Sequence, residues 1–346
     1  MNKKDSSVLK LKDLVSNKNI SIIYSNFRSQ LNYSIKKNPF LVAVSGGPDS
    51  LALSALSNIY SKEKKNKVFY ALVDHGIRFN SAKEALAVKS LFKKRGMSLS
   101  VLKNKKKINK NIQNHARVIR YELLLNYCKK KKIKFIMTGH HRDDQIETFL
   151  IRLSRGSGIQ GLSSMNKLTK LKNRIKLFRP LLNENKENLI FLAKKFYGKI
   201  FKDSSNTNKK FLRTNIRNLI KQFEKNGIKR DRIINSINNL AATRDTLNSY
   251  IKNIEKKCLT RKKNTILIDL KFFSLENSDI QLKILSNSLK YISKNYYPPR
   301  ARKVLNLISR IRVKKEIKAT LGGCVIIKQQ NYLIVSKEKL KKTVKL

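Results

Sequence analysis

The segment LVAVSGGPDS, residues 41–50, has the residue types of a phosphate-binding loop. An apolar run is followed by two glycines, which let a backbone approach an anion closely, and by a proline at the expected first position of a helix. The common GxxxxGK[ST] loop contains a lysine that reaches the transferred phosphate, and this segment lacks that lysine. We predict phosphate contacts from the residues of this loop: Ser45, Gly46, Gly47, Pro48, Asp49 and Ser50.

Asp49 is unusual beside phosphate, because a carboxylate repels the anion unless a divalent cation lies between them. We therefore predict that Asp49 binds Mg²⁺, directly or through water. The alternative is an ordinary strand-to-helix turn in which an acidic residue complements the helix dipole. That alternative does not explain why Ser45 and Ser50 flank the two glycines.

A second chemical motif, TGHHRDDQIET, contains three acids at the expected start of a helix, Asp143, Asp144 and Glu147. At i,i+3 and i,i+4 spacing Glu147 shares a helix face with both aspartates. An acidic residue near a helix N-terminus stabilises the helix by about 0.3–1 kcal/mol. This effect explains one or two acids here, but not three acids that follow a pair of histidines. The cluster suits a cation, either Mg²⁺ with Asp144 as a ligand or the ammonium group of an amine.

Histidines follow two of the apolar runs. We predict that His75 and His140 contact a nucleotide, with a purely structural role as the alternative for each, and the role of His141 stays open. The glycines Gly156 and Gly158, with Gly161 after them, either shape a loop that closes over the ligand or end the helix.

The chain around these motifs predicts an α/β fold. Four apolar runs read as buried strands: PFLVAVS, KVFYALVDH, MSLSVLK and KFIMTGHH. Three segments with helical spacing separate these runs. This alternation predicts a Rossmann-like parallel sheet covered on both faces, with ligands at the carboxyl ends of the strands, where the motifs fall. We expect a catalytic domain with a basic leader at 1–217, a basic helical domain at 218–297, and a small α+β region at 298–346.

Charge is the main compositional signal. The chain of 346 residues has 78 Lys plus Arg against 22 Asp plus Glu, a formal net charge of +56. Such a charge favours a nucleic-acid partner, although an AT-rich coding sequence would also enrich lysine. Three widely spaced cysteines argue against a disulfide framework or zinc site, and no segment suits a membrane span, so we expect a cytoplasmic protein. The sequence leaves a homodimer open.

Six motifs together resemble the tRNA(Ile)-lysidine synthetases of the PP-loop ATP pyrophosphatase superfamily. In chain order they are SGGPDS, DHGIR, HARVIRYELL, TGHHRDDQIETFLIRLSRGSG, RPLL and DSSNTNKKFLRTNIR. The resemblance implies a ligase that uses ATP and Mg²⁺. It would adenylate the C2 oxygen of the wobble cytidine in a CAU anticodon of tRNA(Ile), and L-lysine would then displace AMP. The loop would hold the departing pyrophosphate.

The resemblance also implies residue roles. The acids Asp143, Asp144 and Glu147 would bind lysine and accept its proton. Arg117 and Arg120 are candidates for the lysine carboxylate or the phosphates, with a solvated helix face as the alternative. Four further residues would contact tRNA or form a hydrogen-bond network: Asp203, Asn206, Arg213 and Arg217. Two other functions stay open, a PP-loop tRNA thiolase and a tRNA-binding module with an inactive ATP site.

Overall fold

The computed structural model describes residues 17–77, 80–104, 112–201, 212–295 and 298–338. The chain forms two compact units that divide between Ala241 and Ala242. Asp203 and Asn206 lie outside the described residues.

A six-stranded sheet forms the centre of the first unit, in the strand order β3-β2-β1-β4-β6-β5. All neighbouring pairs are parallel except β5 with β6. The strands are β1 (Phe40–Val44), β2 (Val68–Asp74), β3 (Leu99–Lys103), β4 (Phe135–Met137), β5 (Leu168–Lys170) and β6 (Lys176–Phe178). The four predicted strands and the predicted Rossmann-like sheet are therefore confirmed.

Helices connect these strands. They are α1 (Lys18–Ser34), α2 (Pro48–Lys64), α3 (Ser81–Lys93), α4 (Ile112–Lys130), α5 (Arg142–Leu153), α6 (Ile159–Leu162), α7 (Lys186–Tyr197) and α8 (Leu212–Lys225). In α2 the proline occupies the first helical turn, where its missing N–H leaves no hydrogen bond unmade. Residues from α1, α2, α3 and α7 share one core with one face of the sheet, and residues from α4 pack on the other face.

The central strand β1 is buried on both faces. Phe40 and Val42 pack into the core that contains α2, and Leu41 packs into the core that contains Leu124 of α4. A strand that is covered twice has no polar face, which is why its sequence is a continuous apolar run. This packing fixes the carboxyl end of β1, and with it the start of the glycine loop.

A five-stranded antiparallel sheet forms the second unit, in the order β7-β8-β11-β10-β9. Its strands are β7 (Leu259–Arg261), β8 (Thr265–Asp269), β9 (Ile317–Leu321), β10 (Cys324–Gln329) and β11 (Tyr332–Lys337). The long helix α9 (Arg230–Cys258) begins in the first unit and ends in the second. The remaining helices are α10 (Leu270–Ser274), α11 (Ser278–Ser293) and α12 (Ala301–Val313).

The expectation that residues 218–297 contain no strand is wrong. Both β7 and β8 lie there, and β8 pairs with β11 near the C-terminus. Each is short and stands next to a long helix, so neither interrupts the helical pattern clearly enough to be read from the sequence. The α+β region expected after residue 298 is present as α12 and β9–β11. The three-domain division stays a prediction, although its first limit, 217/218, falls inside α8.

Candidate functional site

The glycine loop between β1 and α2 is held in shape by Ser50. The Ser50 hydroxyl donates to the Gly47 carbonyl at 3.0 Å and accepts from the Ser45 backbone N–H at 3.0 Å and the Ser45 hydroxyl at 3.1 Å. Ser50 is buried whereas Ser45 is exposed. Ser50 therefore positions the loop, while Ser45 lies where it can contact a ligand.

The two loop glycines differ in their surroundings. Gly46 has φ +83°, and a Cβ there would lie 2.8 Å from Val88 Cγ2, so both backbone conformation and space require glycine. A Cβ on Gly47 would have only Ser45 Oγ within 4 Å, at 3.7 Å. The side of Gly47 is therefore open to an anion in front of the α2 N-terminus, where backbone N–H groups and the helix dipole favour negative charge.

Gly139 joins the second motif to this loop. A Cβ at Gly139 would lie 2.7 Å from the Asp49 carbonyl oxygen and 3.0 Å from the Ser50 nitrogen, which is closer than real Cβ contacts. The segment after β4 therefore touches the backbone of the first turn of α2. Any larger residue at position 139 would separate the two motifs.

His141 is the N-cap of α5 and lies between two carboxylates. Its Nδ1 accepts the Asp143 backbone N–H at 3.2 Å, and Asp144 Oδ2 accepts the His141 backbone N–H at 3.0 Å, which completes a capping box. Because Nδ1 accepts a hydrogen bond, the ring proton lies on Nε2. Nε2 is 3.7 Å from Asp49 Oδ2 and 3.6 Å from Asp144 Oδ2.

The two carboxylates differ in their electrostatics. Burial and the charge of Asp144 raise the pKa of Asp49, against the opposing effects of His141 and Lys186. Burial also acts to raise the pKa of Asp144, but the two histidines, the His141 N–H and Arg213 outweigh it, so this pKa is lowered. Asp144 is therefore the carboxylate that stays ionised more readily.

Asp49 and Asp144 fit a Mg²⁺ ion that also contacts a nucleotide. Asp49 Oδ1 is buried and has no hydrogen-bond partner among the described residues, so it is available as a ligand. In the described part of the chain, no group of three or more His, Cys, Asp or Glu side chains is arranged to hold a metal alone. Mg²⁺ that is bound with phosphate commonly uses one or two carboxylates and keeps several waters, which is the donor set present.

The other two acids of the cluster are paired with arginines. Asp143 Oδ2 lies 2.8 Å from Arg230 Nη1, and Glu147 Oε1 accepts from Arg217 Nε at 2.5 Å. Glu147 is buried, and in the described part of the chain its Oε2 atom has no hydrogen-bond partner. The structure thus brings Asp49 and Asp144 together and connects the other acids to α9 and α8.

The comparisons with known proteins agree with this architecture. Residues 16–223 match the family model for a PP-loop domain. The chain is 36% identical to the tRNA(Ile)-lysidine synthase of Wolbachia pipientis wMel, over 90% of this chain and 74% of that protein. It is 33% identical to the enzyme of the same name from Orientia tsutsugamushi (strain Boryong), over 88% and 71%. The chain belongs to the tRNA(Ile)-lysidine synthase family. It is therefore a ligase that forms carbon–nitrogen bonds and has an ATP-binding PP-loop.

A solved structure supports the fold. The U34-tRNA thiolase NcsA from Methanococcus maripaludis, solved with its [4Fe-4S] cluster, superposes with a TM-score of 0.55 and 21% identity, covering 64% of this chain and 78% of that one. This likeness shows the fold alone. Among the described residues of this lysidine synthase family member, no helix is long and apolar enough to cross a membrane.

The surroundings of His75 and His140, the two histidines predicted to contact a nucleotide, favour the neutral imidazole. Burial, with smaller effects of Arg117, Arg179 and Arg213, lowers the pKa of His140 to about 4, and its Nδ1 lies 2.8 Å from Thr138 Oγ1. Burial followed by Arg120 lowers the pKa of His75, whose two ring nitrogens are buried and have no hydrogen-bond partner among the residues that the structure describes. Neutral rings suit hydrogen bonding to a base or sugar.

The candidate arginines lie on α4, one turn apart. The Arg117 guanidinium stacks 5.2 Å from the centre of the Tyr121 ring, and its charge acts on His140. The charge of Arg120 acts on His75. Both side chains are exposed, so their role in binding stays a prediction.

The segment after α5 is fastened to that helix. Arg152 donates to the carbonyls of Gly161 at 2.7 Å and Ser164 at 2.9 Å, and the Gln145 amide exchanges two hydrogen bonds with the Met165 backbone. Gly156, with φ +64°, ends α5, and Gly158 begins α6. A helix-ending role is thus visible for Gly156, and closure over a ligand stays a prediction.

Sequence reasoning missed several residues of this edge. They are Gly139, Lys186 near Asp49, and the buried Arg179 after β6. The RPLL motif contains Arg179 and was the available signal, but a lone arginine after a three-residue strand gives no indication of its burial.

Proposed function

We propose that this protein ligates L-lysine to C2 of the wobble cytidine in the CAU anticodon of tRNA(Ile), giving lysidine with release of AMP and pyrophosphate. Membership of the lysidine synthase family supports this, and one observation in the site carries it. The PP-loop acid Asp49 and the α5 acid Asp144 both lie within 4 Å of His141 Nε2, at 3.7 and 3.6 Å. A site for a nucleotide and a site for an amine thereby share one edge.

In the first step, the cytidine C2 oxygen attacks the α-phosphorus of ATP, and the bond from that phosphorus to the oxygen bridging it to the β-phosphorus breaks. The open side of Gly47 and the N-terminus of α2 receive the departing pyrophosphate. This explains the missing P-loop lysine, because the γ-phosphate is not the transferred group. Lys186 and Ser45 are placed to add cationic and hydroxyl contacts.

Mg²⁺, held by Asp49 and Asp144, would neutralise charge on the phosphates when bound. Asp49 Oδ1 would be available as a ligand, and His141 Nε2 lies close to the Oδ2 atoms of both acids. Neutral His75 and His140 would contact the adenosine portion.

In the second step, the lysine ε-amine attacks C2, and the C2–O bond breaks as AMP leaves with that oxygen. The amine must first lose a proton. Asp144, whose pKa is lowered, is suited to attract the incoming ammonium group. Glu147 Oε2, buried and unpartnered, is the second acceptor available on α5.

The deciding assay uses purified protein, ATP, Mg²⁺, labelled lysine and a tRNA(Ile) transcript with a CAU anticodon. We expect lysine incorporation with equal release of AMP and pyrophosphate. A transcript with uridine in place of the wobble cytidine is the matched control and should accept no lysine. Lysine-independent turnover, or tRNA binding with no lysine product, would contradict the proposal.

The thiolase alternative is not favoured by the cysteines. All three are buried, Cys128 in the first unit and Cys258 and Cys324 in the second. Burial raises the pKa of Cys128 to about 12 and that of Cys258 to about 11, and protonated buried thiols are poor nucleophiles. A cytoplasmic location and a homodimer stay predictions.

A further inference from the structure

Arg179 is a buried arginine at the functional edge of the first sheet. It follows β6 directly and is 6% exposed. The neighbouring parallel strand β4 leads into Thr138, whose N–H donates to the Phe178 carbonyl at 3.1 Å. Arg179 therefore stands beside the Thr138–His140 segment that leads into α5.

Among the described residues, the side-chain hydrogen bonds of Arg179 all come from Nη1. Nη1 donates to the Asn166 carbonyl at 2.6 Å and to Thr169 Oγ1 at 2.9 Å. Nε is buried and has no hydrogen-bond partner. The Nε–Nη2 edge, whose two parallel N–H groups match a carboxylate, thus has no partner among the described residues.

The charges around Arg179 are of its own sign. Burial, Arg117 and Arg152 lower its pKa, with Tyr121 opposing them. In the described part of the chain no carboxylate forms an ion pair with it, and the nearby His140 is neutral. A buried cation without a counterion is strongly unfavourable, so this arrangement is better suited to a protein that binds an anion there.

The backbone that carries Arg179 is distinct from the glycine loop. β6 lies two strands from β1, a spacing of about 10 Å between the strands. His140 feels the charges of both Asp144 and Arg179. An acid and a guanidinium near one histidine ring provide opposite charges for the two ends of an amino acid, its ammonium group and its carboxylate.

We propose that the Nε–Nη2 edge of Arg179 binds the α-carboxylate of the free amino acid substrate. Arg117 adds a second positive charge to the subsite, and the amine end extends toward Asp144. This inference rests on the proposed function and deepens it, because it explains how an amino acid would be selected over a simple amine. Arg179 is a binding residue here, and its Nη1 bond to the Asn166 carbonyl holds the guanidinium in place.

The test compares L-lysine with 1,5-diaminopentane, which is lysine without its carboxylate. For Arg179→Gln we expect the KM for L-lysine to rise about 10- to 100-fold, the range for losing a charge-assisted, bidentate contact. The rate with 1,5-diaminopentane and the KM for ATP should change less than threefold. Arg179→Lys, which keeps the charge and loses the paired N–H groups, should lie between wild type and Arg179→Gln.

Thr169→Val is the matched control, because it removes one of the Nη1 contacts and leaves the Nε–Nη2 edge intact. It should leave both amines unaffected. Equal losses with lysine and 1,5-diaminopentane, reproduced by Thr169→Val, would show a structural role and overturn the proposal. A raised KM for ATP, with slower pyrophosphate release before any amine is added, would assign the edge to a nucleotide phosphate and also overturn it.

These outcomes are separate from failure of the proposed function. Wild-type protein that makes no lysine-dependent product would reject both proposals. Active wild type with an unchanged lysine KM in Arg179→Gln would reject the carboxylate subsite alone.

Discussion

His141 Nε2 lies 3.7 Å from Asp49 Oδ2, and this contact joins the glycine loop to the acidic motif nearly a hundred residues later. The same side chain caps α5 through Nδ1. One histidine therefore caps a helix and also lies between the two acids that we propose as Mg²⁺ ligands.

The two roles of His141 are separable by substitution. Asparagine is a good N-cap but is too short to reach Asp49, so His141→Asn should keep stability and lose activity. His141→Ala should lose both, with a decrease in the free energy of unfolding of about 1 kcal/mol. Urea denaturation measures the first property and tRNA-dependent pyrophosphate release the second. Full activity in His141→Asn would show that the contact with Asp49 is dispensable.

Asp49→Asn should abolish turnover and leave tRNA affinity within about twofold, because we propose that the loop contacts ATP and not tRNA. The effect of Asp49→Asn on the free energy of unfolding depends on pH. Burial and Asp144 raise the pKa of Asp49, so the folded protein binds this proton more tightly than the unfolded chain. The charged carboxylate of Asp49 destabilises the folded protein. This destabilisation is absent below the pKa of the unfolded chain, about 3.9, and fully present above the raised pKa of the folded protein.

The variant should therefore be more stable than wild type near pH 8, with the difference closing as the pH approaches 4. Thermal unfolding across this range measures it. A difference that does not vary with pH would show that the Asp49 carboxyl group is not desolvated, and weakened tRNA binding would show that the loop is structural.

Much of this edge could be predicted from the sequence, and the reason is local. The strands β1 to β4 are continuous apolar runs, and the loop residues and the three acids follow them directly. What could not be predicted depends on tertiary contacts. Glu147 pairs with Arg217, which is 70 residues away, and no spacing indicates that pairing. The strands β5 and β6 have three residues each, too few for a period to show.

Gly139→Ala tests the close contact between the motifs. The new Cβ would lie 2.7 Å from the Asp49 carbonyl oxygen, which is backbone and cannot rotate away. We expect a loss of about 1–3 kcal/mol in the free energy of unfolding and a fall in pyrophosphate release. Gly158→Ser is the stability control, since nothing lies within 4 Å of a Cβ there and serine is favoured at an N-cap. Equal free energies of unfolding for Gly139→Ala and the wild type would mean that the segment after β4 moves away from α2 without loss of stability.

The Glu147–Arg217 pair should contribute through the burial of its acid. Arg217→Met leaves the Glu147 carboxylate, only 3% exposed, without its cation, and should decrease the free energy of unfolding by about 3 kcal/mol. Adding Glu147→Gln should recover part of that loss, because the uncompensated charge disappears. The exposed pair Arg28–Glu63 is the control, and Arg28→Met should change stability by less than about 1 kcal/mol. Additive effects of the two substitutions at the buried pair would contradict the argument.

The net charge of +56 has two explanations, RNA binding and coding bias, and salt dependence distinguishes them. If basic side chains of residues 218–297 contact tRNA, log affinity should fall linearly with log salt, with a slope of about 0.7–0.9 for each phosphate contacted. Replacing the exposed lysines of α9 with glutamine, Lys252, Lys256 and Lys257, should reduce that slope by up to about 2–3.

The matched control removes the same charge from a different helix, by glutamine substitution of the exposed lysines at the end of α3: Lys89, Lys93 and Lys94. Filter binding of the CAU transcript between low and moderate salt gives both slopes. Because simple loss of net charge affects the two triple variants equally, only a larger change in the α9 variant indicates phosphate contacts from that helix. A flat salt response in the wild type would instead attribute the excess lysine to coding bias.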